Sequence, residues 1–236
     1  MSNNAPNLFA ADAVRRLLGD ELRSLAPELA GVFGRQGLVV RAHAAAPEAP
    51  SAPMLGGLVR LHVAAPSRLA GDVDCEPSSL PFVDASFRLV LAQHAAEAVA
   101  EPEAFRSEIA RVVEPGGILM VLGFQPFGAW RPWIAWQQFR GAAALKSDPA
   151  WIWREALADA GVDTYACRRL GPLWPRVDAS GRVPPPLVKK ALAPLRPSWL
   201  LLARKRSLGP TLIARKAAQR ARAVGALASG TQRTSA

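Results

Sequence analysis

The residues whose types and positions could do chemistry are few. Of the three histidines, His94 stands just past a strongly apolar run, Phe87–Ala92, with Gln93 beside it. An imidazole there titrates near neutral pH, so it could act as a base or approach a reacting group. The competing reading is a histidine that packs or caps at a strand end. His43 and His62 have no partners at ligand spacing, and three histidines with two cysteines do not make a metal site. Cys75 reads as a small packed residue rather than a nucleophile. Cys75 and Cys167 make neither a disulfide framework nor a four-cysteine zinc site, which fits a reducing, cytoplasmic compartment.

The aromatic residues are also grouped. Trp130, Trp133, Trp136, Trp151 and Trp153 are five of the seven tryptophans. The first three recur every third residue, on a slowly turning helical face. They could form a lid or aromatic pocket, or simply pack a helix on a sheet.

Such residues need elements to position them. Leu8–Leu25 has apolar residues near helical spacing (Val14, Leu17, Leu18, Leu22, Leu25), which predicts an amphipathic helix with its charges on the other face. Apolar runs at Gly37–Val40, Leu58–Val63, Phe87–Ala92 and Ile118–Leu122 predict strands, with Thr164–Arg168 a weaker one and Ser198–Ala203 the last. Helical patterns at Pro102–Val113 and Pro149–Ala160 lie between some of them. Alternating strands and helices predict a doubly wound α/β domain, its sheet mostly parallel and covered on both faces. Residues 42–57, rich in Ala and Pro, suggest a loop or a degraded helix. Residues 171–186 hold five prolines and cannot be one helix.

Charge separates the chain into two parts. The formal charge is +10, yet all 19 acidic residues lie at or before Asp178, and residues 1–178 sum to −2. The expected division is therefore an α/β domain over residues 1–206 and a basic C-terminal tail over 207–236. That tail, with Arg215, Lys216, Arg220, Arg222 and Arg233, could attract the phosphates of a nucleic acid or an anionic membrane. It lacks interleaved aromatics, so base stacking is not suggested. No apolar run approaches the roughly 20 residues of a transmembrane helix, and the N-terminus does not read as a signal peptide.

The most specific stretch is Leu80–Trp130. It carries Leu80-Pro81-Phe82, Asp84, Ser86-Phe87, an apolar strand and His94. The helix end Glu108–Val112 and Pro115-Gly116-Gly117 follow, then another strand. This resembles the second half of a class I S-adenosylmethionine-dependent methyltransferase of the type 11 kind. His94, Glu97 and Gly123-Phe124-Gln125-Pro126 are similar to a divergent proteobacterial branch. The resemblance implies a seven-stranded sheet, S-adenosylmethionine as cofactor and a methyl acceptor that it does not name. It also places the cofactor by three anchors: a glycine-rich turn after the first strand, an acid after the second and an acid after the third.

The first anchor is degenerate, because Arg41, Ala42, His43 and Ala44 follow the first strand with no glycine. Alanine disfavours the positive φ that glycine accepts freely. Leu58–Ala65 offers no carboxylate for the second anchor. Cys75-Glu76 stands where the third is expected. The resemblance thus implies a cofactor site of Arg41, Ala42, His43, Ala44, Cys75, Glu76 and Gln93, with His94 as the candidate catalytic residue and no metal. The expected function is S-adenosylmethionine-dependent methyl transfer through an atypical loop; the alternative is a catalytically inactive, methyltransferase-like interaction module, associated with nucleic acid through the basic tail.

Overall fold

The computed structural model describes residues 8–49, 52–175 and 192–207. The proline-rich stretch past residue 175 and the basic segment past residue 207, both noted in the sequence, lie outside the described residues. One compact unit runs through Arg206.

Its elements in chain order are α1 (Asp12–Ala30), β1 (Gly34–Arg41), β2 (Leu55–Ala65), β3 (Arg68–Gly71), β4 (Phe87–Gln93), α2 (Ala95–Ala98), α3 (Pro102–Val112), β5 (Val113–Phe124), α4 (Arg131–Phe139), α5 (Ala150–Asp159), β6 (Val162–Leu170) and β7 (Ser198–Lys205). A single 3₁₀ turn, Leu8–Ala10, precedes α1. The strands form one sheet in the order β3-β2-β1-β4-β5-β7-β6. β1 is parallel to both β2 and β4, and β4 to β5. β3 runs antiparallel to β2, and β7 antiparallel to β5 and β6. Five of the seven strands therefore point one way, in the mostly parallel, seven-stranded sheet that the resemblance implies.

The central strands read as continuous apolar runs because both their faces are covered. Successive residues alternate between two cores. Leu38, Val40, Val90, Ala92, Leu119 and Val121 face α3 and α5, meeting Phe105, Ile109, Trp153 and Leu157. Val39, Leu89, Leu91, Met120 and Leu122 face α1, meeting Leu22, Leu25 and Leu29.

Three expectations change. β1 and β2 are parallel, yet no helix joins them among the described residues of 42–54, and β2 begins at Leu55 inside the stretch read as loop or degraded helix. Between β2 and β3 there is only a tight turn at Pro66-Ser67, a hairpin that the sequence did not announce. Pro115-Gly116-Gly117, expected to link helix to strand, lies inside β5 at a register shift opposite β4, with Gly116 at φ 77°. Glycine is needed there because a side chain would strain that left-handed backbone.

The recognisable Leu80–Arg111 motif is a structural clamp. Glu108 accepts a hydrogen bond from the Leu80 N–H at 2.8 Å. The Arg111 guanidinium donates to the carbonyls of Leu80 and Phe82 at 3.0 and 2.9 Å, and pairs with Asp84 and Glu108. Hydrogen bonding from Arg111 holds the Glu108 carboxyl below its ordinary range, outweighing partial burial. Two distant segments are thereby tied across the end of α3.

Candidate functional site

In an open parallel sheet the ligand crevice lies beyond the carboxyl ends of the strands, where connections leave in opposite directions. Here that point falls between β1 and β4, at Arg41–Ala42 and Gln93–His94. The structure brings Arg41, Ala42, Gln93 and His94 together at this edge, with the Ala42 N–H donating to the Gln93 carbonyl at 2.9 Å.

The crevice is filled by the protein itself. Ala42, Gln93, His94 and Phe124 are each at most 2 % exposed. The 3₁₀ turn, the first half of α1 and the start of α4 bring Leu8, Phe9, Leu17, Leu18 and Trp130 over this edge, in one cluster with Ala42, Ala46 and Phe124. Gln93 donates through Nε2 to the Leu18 carbonyl at 3.1 Å, fastening β4 to α1. Its Oε1 is buried without a partner.

At the centre is a fully buried carboxylate–imidazole–carboxylate trio. His94 Nδ1 lies 2.7 Å from Glu97 Oε2, and Nε2 lies 3.2 and 3.1 Å from the two oxygens of Glu21. The other Glu97 oxygen accepts a hydrogen bond from the Phe124 N–H. The His94 ring sits 4.4 Å from the Phe124 ring and 6.3 Å from that of Phe9. Burial alone pulls the imidazole down, but the charges of Glu21 and Glu97 and hydrogen bonds to both push it up to about 10. Burial raises the Glu97 carboxyl despite the facing imidazole. A carboxylate at each ring nitrogen favours the imidazolium form, which can donate to both. With no exposed surface and no free nitrogen, His94 does not meet a substrate in this conformation.

The remaining predicted residues occupy different surroundings. Arg41 turns back to its own loop, donating to the Ala46 carbonyl at 2.7 Å. His43 Nδ1 accepts from the Ala45 N–H at 3.1 Å, and Ala44 is exposed. Burial, then the neighbouring His62, lowers the His43 imidazole. Cys75 is half-buried in a backbone bridge with Leu69, its thiol pushed up by burial and then by Asp74. Glu76 is exposed. Among the described residues, no group of three or more His, Cys, Asp or Glu could hold a metal ion.

The charges of the first helix are expected on its polar face, but Glu21 departs from this, at 1 % exposed. The signal was present, since Leu17, Leu18, Glu21, Leu22 and Leu25 form one helical stripe. A buried acid on such a stripe requires a partner, and β4 supplies it.

The family's cofactor, S-adenosylmethionine, does not fit this edge as it stands. The first loop has no glycine to admit it, the end of β2 is Ala64-Ala65 with no carboxylate, and packed side chains cover the switch point.

Comparison with known proteins agrees with the fold. Residues 56–121 match the family model described as "Methyltransferase domain". Several solved structures are similar. A chain from the complex between the Haloferax volcanii Trm112 methyltransferase activator and the putative methyltransferase is 16% identical, with TM-score 0.52, covering 87% of this chain and 98% of that one. A putative methyltransferase from Bacillus halodurans is 18% identical, with TM-score 0.52, covering 79% and 99%. A methyltransferase from Thermotoga maritima, described as a possible histamine N-methyltransferase, is 12% identical, with TM-score 0.52, covering 81% and 91%. No curated protein matches. The fold is that of the class I S-adenosylmethionine-dependent methyltransferases.

Proposed function

We propose that this chain is a methyltransferase-fold protein whose cofactor edge is closed by its own side chains, and that it works as a non-catalytic interaction module. The observation that carries this reading is the burial of Ala42, Gln93, His94 and Phe124 at the switch point beneath α1 and α4. The His94 trio is then a fastener that seats α1 on the sheet. Calorimetric titration of the full chain with S-adenosylmethionine and S-adenosylhomocysteine tests the proposal. We expect no saturable heat up to millimolar ligand; saturable binding of either one sinks it.

A second reading, S-adenosylmethionine-dependent methylation of an acceptor still to be identified, is favoured by the family match over residues 56–121 and by the unpartnered Gln93 Oε1. An amide oxygen left bare in the crevice is what a donor group on a ligand would satisfy. That reading requires α1 to move off the edge. The same titration distinguishes the two.

A further inference from the structure

Helix α4 carries apolar residues on its outer face as well as on its inner one, where Ile134 is buried and Trp133 packs beside it. Its exposed positions are Arg131, Pro132, Ala135, Trp136 and Phe139, continued by Arg140 just past its end, and they fall on one face at spacings of one and four. Phe139 is 89 % exposed and Trp136 50 %, whereas Gln137 and Gln138 are partly buried. Scattered apolar residues on a surface are ordinary; an aromatic stripe along one helix is not.

The charge around the stripe selects its occupant. Arg131 opens the helix and Arg140 follows its last residue, with the Arg140 guanidinium 4.9 Å from the centre of the Trp136 ring. From Pro115 to Ser147 the chain contains no acidic residue. An aromatic stripe bracketed by cations complements the boundary between anionic headgroups and acyl chains, where indole and phenyl rings bury and guanidinium groups reach phosphates. At nine residues, about 13.5 Å, the helix can lie in that boundary and cannot cross it.

Other occupants fit less well. Single-stranded nucleic acid needs a positively charged groove along its backbone, and two guanidinium groups at the ends of one short helix do not make one. A second copy would need roughly 800 Å² per partner, more than four small-helix side chains present.

We propose that α4 docks this protein on the surface of an anionic membrane as a monotopic, interfacial contact. The proposal is independent of whether the cofactor binds. Sedimentation of the full chain with vesicles of phosphatidylcholine, alone or doped with phosphatidylglycerol, tests it. The wild-type chain is expected to sediment with the anionic vesicles only. The Trp136→Ser/Phe139→Ser variant should lose about tenfold in partitioning, and Phe139→Ser alone a smaller part, with thermal melting unchanged. Absence of wild-type binding, or equal binding by the double variant, overturns the proposal. So does a double variant whose defect appears with a single-stranded oligonucleotide, or in self-association, instead of with vesicles.

Discussion

Three costs fall on His94 at once. Its backbone is left-handed, at φ 52°, which costs a residue with a Cβ roughly 1–2 kcal/mol. Its ring is excluded from water, and two carboxylates share it. These costs are offset only while all three charged groups are present. Removing one partner leaves uncompensated buried charge, so His94→Ala should lower unfolding free energy by about 3–5 kcal/mol, measured by denaturant titration. The trio also sets a pH dependence. The folded-state value of His94 is raised from 6.5 to about 10, so its contribution is complete below the unfolded value and is lost as pH rises through that window. Glu97 is raised by burial and acts in the same direction from its own ordinary range upward. Melting temperatures should therefore fall between pH 6.5 and 10, and Glu21→Gln should flatten the fall. His94 was legible from its place after an apolar strand. Its partner Glu21 was not, because amphipathic reading assigns acids to the wet face and only the stripe position argues otherwise.

At the scale of elements, the strands were the most readable feature. A strand buried on both faces writes an unbroken apolar run, as in Phe87–Ala92 and Ser198–Ala203, and both are strands. What stayed hidden depends on pairing. Arg68–Gly71 is a four-residue strand with little apolar signal, held by its antiparallel register to β2. The family-like motif was legible as a motif, but its physical role emerges only in three dimensions. Arg111 ties Leu80, Phe82, Asp84 and Glu108 together, so its signature reports the fold and says nothing directly of the cofactor. Replacing Arg111 with Met should cost about 2–3 kcal/mol, since charge-assisted hydrogen bonds to partly buried acceptors are lost. A denaturant midpoint shift with an unchanged slope would check it. The aromatic stripe of α4 belongs to this scale too. The spacing of Trp130, Trp133 and Trp136 suggested either a lid or a packed helix, and the helix divides them: Trp130 is buried and Trp136 is half in water.

For the whole molecule, the relevant quantity is where charge accumulates. Residues 1–178 sum to −2, and the entire excess lies beyond them. Polyanion affinity should therefore follow the C-terminal segment more than the sheet. Changing Arg215, Lys216, Arg220 and Arg222 together to Ser should weaken binding to heparin. If each contacts one anionic group, the slope of log affinity against log salt should become shallower by about 3–4. A slope that stays the same would place the contact on the α/β unit. No helix among the described residues is long and apolar enough to cross a membrane, so any membrane contact made by these residues' helices is a surface one.

The strand order carries a further consequence, for how the chain is made. Among the described residues, β6 takes its only sheet partner from β7, which is also the strand that joins it to β5. On a ribosome, β6 is complete at Leu170, while β7 ends at Lys205. At roughly 5–20 residues per second, about 2–7 s pass between the two. Throughout that interval a nine-residue strand has both edges unpaired. The nascent protein is therefore most exposed to aggregation late in synthesis, and slowing translation between codons 171 and 205 should lower the soluble yield more than slowing it anywhere earlier.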